Sequence, residues 1–193
     1  RGRTARHAGH PVSDTGTVGG ERVYTGRIIS VDLDDVRFPD GSVGKLEMIR
    51  HPGASAVVPL LGELGDADPI ILLIRQYRYA AEKYLYEIPA GRLDPGESPA
   101  DCAHRELREE TGYSAARVEQ LFTMFTTPGF TDEKIHLFLA TGLVAGKANR
   151  EADEFMELVP TPLSRALAMI EQGEIQDAKT ALALLYAADF RIH

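Results

Sequence analysis

The sequence predicts an α/β (α+β) fold in which helices sandwich a mixed β-sheet, with a separate antiparallel β element at the N-terminus. Three observations predict it. Short apolar runs of strand length recur along the chain, and three stretches with helical periodicity and marked ends lie among them. A Pro39-Asp40-Gly41 turn separates two alternating stretches near the start. No internal repeat or long low-complexity segment breaks the pattern, and 193 residues at 44% hydrophobic content suffice for one well-buried domain plus a small accessory element.

Residues 1–21 are rich in Gly, Arg, His, Ser and Thr with almost no large apolar side chain, and are expected to form a flexible tail. Residues 22–50 form the N-terminal β element, because apolar alternation from Val23 to Met48 flanks the Pro-Asp-Gly turn and predicts an antiparallel hairpin. Residues 51–193 are then the main domain. In it, 54–61 and 69–76 read as buried strands joined by the loop GELGDAD. The second strand ends in Arg75-Gln76-Tyr77-Arg78, and a Tyr-rich loop leads on to Glu87-Ile88-Pro89-Ala90-Gly91.

A helix follows. Ser98 suits its N-cap, Pro99 its first position, Asp101 stands in as a shorter capping-box acid, and Gly112 ends it. Stretches 117–125, 134–141 and 157–160 read as further strands. Thr161-Pro162 opens a second helix that Gly173 ends, and a last helix runs from about Asp177 to Asp189.

A net charge of −8 and a pI near 5.3 argue against general nucleic-acid binding, which needs a basic patch. No run approaches the roughly 20 apolar residues of a membrane span, and no charged start with an apolar core suggests a secretory signal. A cytoplasmic location is expected. The single cysteine, Cys102, has no internal disulfide partner and reads as a small packing residue of the first helix rather than a nucleophile. His51, His104 and His136 form no metal-spaced pair and read as structural or exposed.

The chemistry concentrates between Gly91 and Tyr113, in GRLDPGESPADCAHRELREETGY. At about 100° per residue, Ala100, Ala103 and Leu107 share one stripe while Glu106, Glu109 and Glu110 occupy the flank beside it. One face can be buried while three carboxylates point into a cleft. Like charges at this spacing repel, by a few tenths of a kcal/mol per pair when exposed, and a divalent cation reverses the sign. Hard oxygen ligands on a rigid element suit Mg²⁺ or Mn²⁺. Arg105 can pair with Glu109 or reach back to Glu97 and so orient the carboxylates. On charge alone, the same RELREE run also fits a solvated helix face.

The spacing of the whole segment resembles the signature of the Nudix hydrolases: Gly, five residues, Glu, seven residues, then Arg-Glu-apolar-any-Glu-Glu-any-Gly-apolar. Here these are Gly91, Glu97, Arg105, Glu106, Leu107, Glu109, Glu110, Gly112 and Tyr113. The final place holds an aromatic rather than an aliphatic residue. Pro128, in TTPGFTDEK, together with RQYRYA, EIPAG, EADEFMEL and GEIQDAKTALAL, is similar to the ADP-ribose pyrophosphatase branch of that family. The likeness runs from about Tyr24 to Tyr186.

The resemblance implies a Nudix-type α/β/α sandwich and hydrolysis of the pyrophosphate bond of ADP-ribose to AMP and ribose 5-phosphate, with Mg²⁺ as cofactor and Mn²⁺ a possible substitute. It implies metal ligation by Glu106, Glu109, Glu110, Glu97 and the carbonyl of Ala90, and catalytic roles for Arg105 and Glu109. Arg78 matches a substrate-binding arginine, with Glu87 and Pro128 the other candidates beside the substrate. A planar guanidinium suits a diphosphate better than a lysine does; a partnerless surface arginine is the competing reading. The catalytic base is expected in the acidic loop 150–155, at Glu154 first and Glu151 next, where a plain solvated turn is the alternative. A homodimer is implied, the N-terminal sheet exchanging between protomers. Another nucleotide sugar or NADH is the alternative substrate, and a non-catalytic ADP-ribose sensor is the alternative from outside the enzymes.

Overall fold

The computed structural model describes residues 15–146 and 156–192. The described residues divide into two compact units, one formed by residues 15–51 together with 127–132, the other by the rest of them.

The N-terminal unit is a three-stranded antiparallel sheet, β1 (Gly16–Thr25), β2 (Ser30–Arg37) and β3 (Val43–Arg50), in that spatial order. The expected turn joins β2 to β3: Asp40 Oδ1 accepts from Ser42 N at 2.9 Å, Gly41 N donates to Phe38 O at 2.9 Å, and Gly41 takes φ +86°, which only glycine adopts without strain. Residues 127–132 join this unit through hydrogen bonds between Ile49 and both Phe130 and Asp132, and through an Arg50–Asp132 ion pair at 3.4 Å.

The larger unit is built on a seven-stranded mixed sheet. Its centre is β4 (Ala54–Leu61), which pairs in parallel with β9 (Lys134–Ala145); β9 in turn pairs antiparallel with β8 (Tyr113–Phe125). On its other side β4 meets β5 (Ile70–Arg78) at only two residue pairs, Leu60 with Ile71 and Leu61 with Ile70. Beyond that point the two strands take different partners. β6 (Lys83–Glu87) follows β5, β7 (Ala90–Arg92) follows β4, and β10 (Met156–Pro162) lines the outer edge of β5. The short stretch from Glu87 to Ala90 therefore crosses from one strand system to the other.

Side-chain alternation along β4 explains the layers. Ala56, Val58 and Leu60 face a core shared with Ile71, Leu73, Leu137 and Leu139 and covered by α2 (Leu163–Glu171) and α3 (Ala178–Phe190). Val57 faces the other way, with Phe138 and Ala140, onto Ala103 of α1 (Pro99–Glu106) and Leu107 just beyond it. Each fully buried aliphatic of this kind contributes about 1.5–3 kcal/mol of transfer free energy. A sheet covered on both faces by helices is the sandwich that the sequence pattern predicts.

Four expectations need correction. Strand β1 begins at Gly16, so residues 16–21 belong to the sheet and not to a tail; backbone pairing to β2 sustains a strand whose side chains are all exposed. The N-terminal element is consequently three strands rather than one hairpin. The Tyr-rich stretch after Arg78 is a hairpin, a single 3₁₀ turn at Tyr79–Ala81 followed by β6, in which Tyr77 pairs with Tyr84. The first helix does not run to Gly112 as one α-helix: after Glu106 the turn Leu107–Thr111 widens to π geometry before Gly112 closes it at φ +80°.

Candidate active site

The helix start forms as its residues dictate. Ser98 Oγ accepts from Asp101 N at 3.2 Å and donates to the Asp101 carboxylate at 2.6 Å, and Pro99 follows the cap. Ser55 Oγ of β4 donates to Pro99 O at 2.7 Å, which fixes the start of α1 on the central strand. A turn with Gly96 at φ +81° folds Glu97 back, and its carboxylate accepts from Asp94 N at 3.0 Å.

Arg105 is the organising centre. Its Nε and Nη2 bind both oxygens of Glu97 at 2.8 and 2.9 Å, Nη1 reaches Glu106 Oε1 at 2.5 Å and Glu109 Oε2 at 3.1 Å, and Nη2 also donates to Arg92 O at 2.9 Å. The sequence leaves its partner as Glu109 or Glu97; it takes both, and Glu106 besides. The charge-assisted bonds from Arg105 hold the Glu97 carboxyl at about 2, against the opposing effect of burial. Arg105 is itself raised in turn, by Glu97 first, and stays charged throughout.

Gly91 is explained by space. A Cβ built there would lie 1.9 Å from Glu106 Oε1 and 2.1 Å from its carboxyl carbon, so the side chain of residue 91 and the carboxylate of Glu106 exclude each other. Glu110, 4% exposed, accepts from Ala90 N at 3.0 Å. The π turn thus ties the far end of the helix to the strand that begins at Ala90.

A second knot lies beside the first. Glu87 is 1% exposed; Arg78 grips it with Nε at 2.6 Å and Nη2 at 2.8 Å, and Lys179 Nζ of α3 lies 2.6 Å from Oε2. Burial pushes the Glu87 carboxyl up, but the two cations outweigh it and hold the group below its ordinary value. Arg78 is raised by Glu87 first and also feels the charge of Glu110, so the two knots share one electrostatic neighbourhood.

Glu97, Arg105, Glu106 and Glu109 are thus brought together, Glu110 and Ala90 are joined beside them, and Arg78 and Glu87 form a bidentate pair. Pro128 belongs to the other compact unit, in the turn closed by Phe130 N and Thr131 N on Thr127 O. Glu151 and Glu154 lie outside the described residues. Cys102 is wholly buried, its thiol pushed up to about 11 by burial, in keeping with a packing residue. His104 is exposed, and His136 is half-buried with Nδ1 3.0 Å from Thr123 Oγ1.

Sequence reasoning missed Lys179, Asp177 and Thr180. One signal was present: a lysine in the first turn of a helix stands at the positive end of its dipole, an unfavourable place without a partner.

Carboxylate oxygens are the donor type that a hard divalent cation takes, and the clearance at Gly91 is what admits the carboxylate of Glu106. Among the described residues no group of three or more His, Cys, Asp and Glu side chains is placed so that it could hold a metal ion. Among the described residues no helix is long and apolar enough to cross a membrane.

Comparison with known proteins agrees with this geometry. The family model of the NUDIX domain matches residues 50–182. The chain is 42% identical over 172 residues to a methanol dehydrogenase activator of Bacillus methanolicus, covering 88% of this chain and 90% of the relative. It is 41% identical, with the same coverage, to an ADP-ribose pyrophosphatase of Bacillus subtilis (strain 168). The crystal structure of an ADP compounds hydrolase superposes with a TM-score of 0.77 over 92% of this chain and 94% of that one; at 24% identity it speaks for the fold. The chain belongs to the Nudix family of hydrolases.

Proposed function

We propose that the protein is a Mg²⁺-dependent pyrophosphohydrolase that splits ADP-ribose into AMP and ribose 5-phosphate. The observation that carries the reading is the convergence of Glu97, Glu106 and Glu109 on one guanidinium, with Glu110 locked to Ala90 beside them. The choice of ADP-ribose is supported by the pyrophosphatase relative, matched over nine-tenths of its length.

Glu106, Glu109, Glu110, Glu97 and the Ala90 carbonyl would hold Mg²⁺, with Mn²⁺ as a substitute. The ion supplies neutralisation of charge on the pyrophosphate oxygens. The chain's own groups do the rest. Arg105 orients three of the carboxylates, Gly91 gives Glu106 its room, and Arg78 offers a guanidinium to the diphosphate, with Glu87 behind it rather than on the ligand. A carboxylate of the 150–155 loop, Glu154 or else Glu151, takes the proton of the attacking water. The water oxygen bonds to phosphorus, the bond from that phosphorus to the bridging oxygen breaks, and each product leaves as a phosphomonoester.

The protein would act as a cytoplasmic homodimer. The exposed apolar side chains Val18, Val23, Tyr24 and Val43 of the N-terminal sheet support a partner for it. The test of the reaction is product identification. With Mg²⁺, ADP-ribose should yield equal amounts of AMP and ribose 5-phosphate on ion-exchange chromatography. With excess chelator neither should form. Adenosine diphosphate and free ribose as products would refute the reading.

A further inference from the structure

The first turn of α3 is wired to the segment that precedes the catalytic helix. Asp177 Oδ2 caps α3 by accepting from Thr180 N at 3.0 Å, and Thr180 Oγ1 accepts from Ile88 N at 3.0 Å. Asp177 Oδ1 lies 2.9 Å from Lys179 Nζ, which reaches Glu87 Oε2 at 2.6 Å. Glu87 and Ile88 are adjacent, so α3 holds two consecutive residues just before Pro89, Ala90 and Gly91.

Glu87 passes this order on to Arg78. Both its oxygens are used, and Arg78 is gripped through Nε and Nη2. The third nitrogen of the fork, Nη1, makes no hydrogen bond among the described residues, and the Arg78 side chain is 42% exposed. One cation would already neutralise the buried carboxylate of Glu87. The second, Lys179, is largely buried at the end of a helix where a positive charge is disfavoured. Its geometric effect is specific: with Oε2 shared between Lys179 and Arg78, the carboxylate plane is fixed and so is the guanidinium plane that stacks its fork on it.

We propose that Lys179, anchored by Asp177, is a positioning residue for substrate binding. It holds Glu87 so that Arg78 presents Nη1 to an oxygen of the substrate diphosphate. The ordering of a flexible arginine is done before the substrate arrives, so its loss of freedom is not charged to binding. This rests on the reading of Arg78 as a substrate contact.

The experiment is a steady-state comparison on ADP-ribose with Mg²⁺ of wild type, Lys179→Met, Lys179→Arg, Arg78→Ala and the double variant Arg78→Ala with Lys179→Met, each with a thermal unfolding curve. Lys179→Met should raise KM about tenfold with kcat within about threefold, the signature of lost binding made equally in ground and transition state. Lys179→Arg should restore most of the loss. On the Arg78→Ala background, Lys179→Met should raise KM no further, because the two act as one unit. A Lys179→Met protein that unfolds at lower temperature but keeps its KM, while Arg78→Ala raises KM, would overturn the inference and leave the Arg78 reading intact. A full further rise in KM on the Arg78→Ala background would overturn it too. Unchanged KM in Arg78→Ala would remove the substrate role of Arg78 and this inference with it. Should Lys179→Met not fold, Lys179→Gln, which keeps a hydrogen-bond donor for Glu87, is read by the same criteria.

Discussion

Gly91 and Glu106 compete for one volume, and that competition makes a sharp test at the scale of a single residue. Gly91→Ala would set a methyl carbon 1.9 Å from Glu106 Oε1, so the carboxylate must leave its place on Arg105. We expect a loss of about 1–3 kcal/mol in stability, as for other overpacked sites, and a fall in kcat of more than about tenfold, or about 1.4 kcal/mol of barrier. Wild-type turnover in a folded Gly91→Ala protein, measured by the same assay, would show that the position of Glu106 does not matter.

Glu97 gives a test by pH. Its carboxyl is lowered from the ordinary 4.5 to about 2, chiefly by Arg105. Its contribution to stability is therefore fully present above about pH 4.5 and lost as pH falls through about 2. The difference in unfolding temperature between wild type and Glu97→Gln should be largest near neutrality and should close between those limits. A constant difference across that range would mean that the Glu97–Arg105 pair contributes no linkage. The role of Glu97 was legible in the spacing; that of Gly91 was not, because the clash involves a side chain 15 residues away.

Among the elements, α1 and the turn after it show what periodicity can and cannot reach. Ser98, Pro99 and Gly112 mark the ends of the helical segment, and Ala103 and Leu107 lie on the buried stripe as expected, whereas Ala100, expected with them, is exposed in the first turn. The π turn at Leu107–Thr111 was invisible to a uniform 100° step. Thr111 Oγ1 donates back to Leu107 O and accepts from Tyr113 N at 3.1 Å, a local bond pattern that competes with the α ladder. β6 was missed for a different reason. Its tyrosines suggested a loop, while the pairing of Tyr84 with Tyr77 and Arg75 stacked 4.2 Å over Tyr84 make it a strand. The proposed base lies in the acidic stretch 150–155, outside the described residues. Glu154→Gln should lower kcat with little change in the Mg²⁺ concentration that gives half-maximal rate. Unchanged turnover would move the base to Glu151 or to the catalytic helix.

For the whole molecule, the mixed sheet, the two helical layers and the helix that starts at Pro99 were readable because alternation and caps are local in sequence, whereas the order of the strands was not, because it rests on pairings between distant segments. The knot of Arg78, Glu87, Lys179 and Asp177 was not: Glu87 and Lys179 are 92 residues apart, and only the packing of α3 against the sheet brings them together. The N-terminal unit poses a question of assembly. Its only buried described residues are Asp34 and Thr131, both polar, so it has no apolar core of its own. We expect sedimentation equilibrium to give near twice the 21.1 kDa chain mass, falling toward one when Val18 and Tyr24 are both replaced by Asp. A wild-type monomer would contradict the dimer.

The central claim is that the site hydrolyses ADP-ribose in preference to other nucleoside diphosphate derivatives. Steady-state kcat/KM with Mg²⁺ for ADP-ribose, NADH, GDP-mannose and a dinucleoside polyphosphate tests it most directly. The account predicts that ADP-ribose stands at least about tenfold above each of the others, a difference of about 1.4 kcal/mol in transition-state binding. A higher value for NADH or GDP-mannose would contradict the substrate assignment, and no turnover of any of the four would contradict the enzyme reading itself.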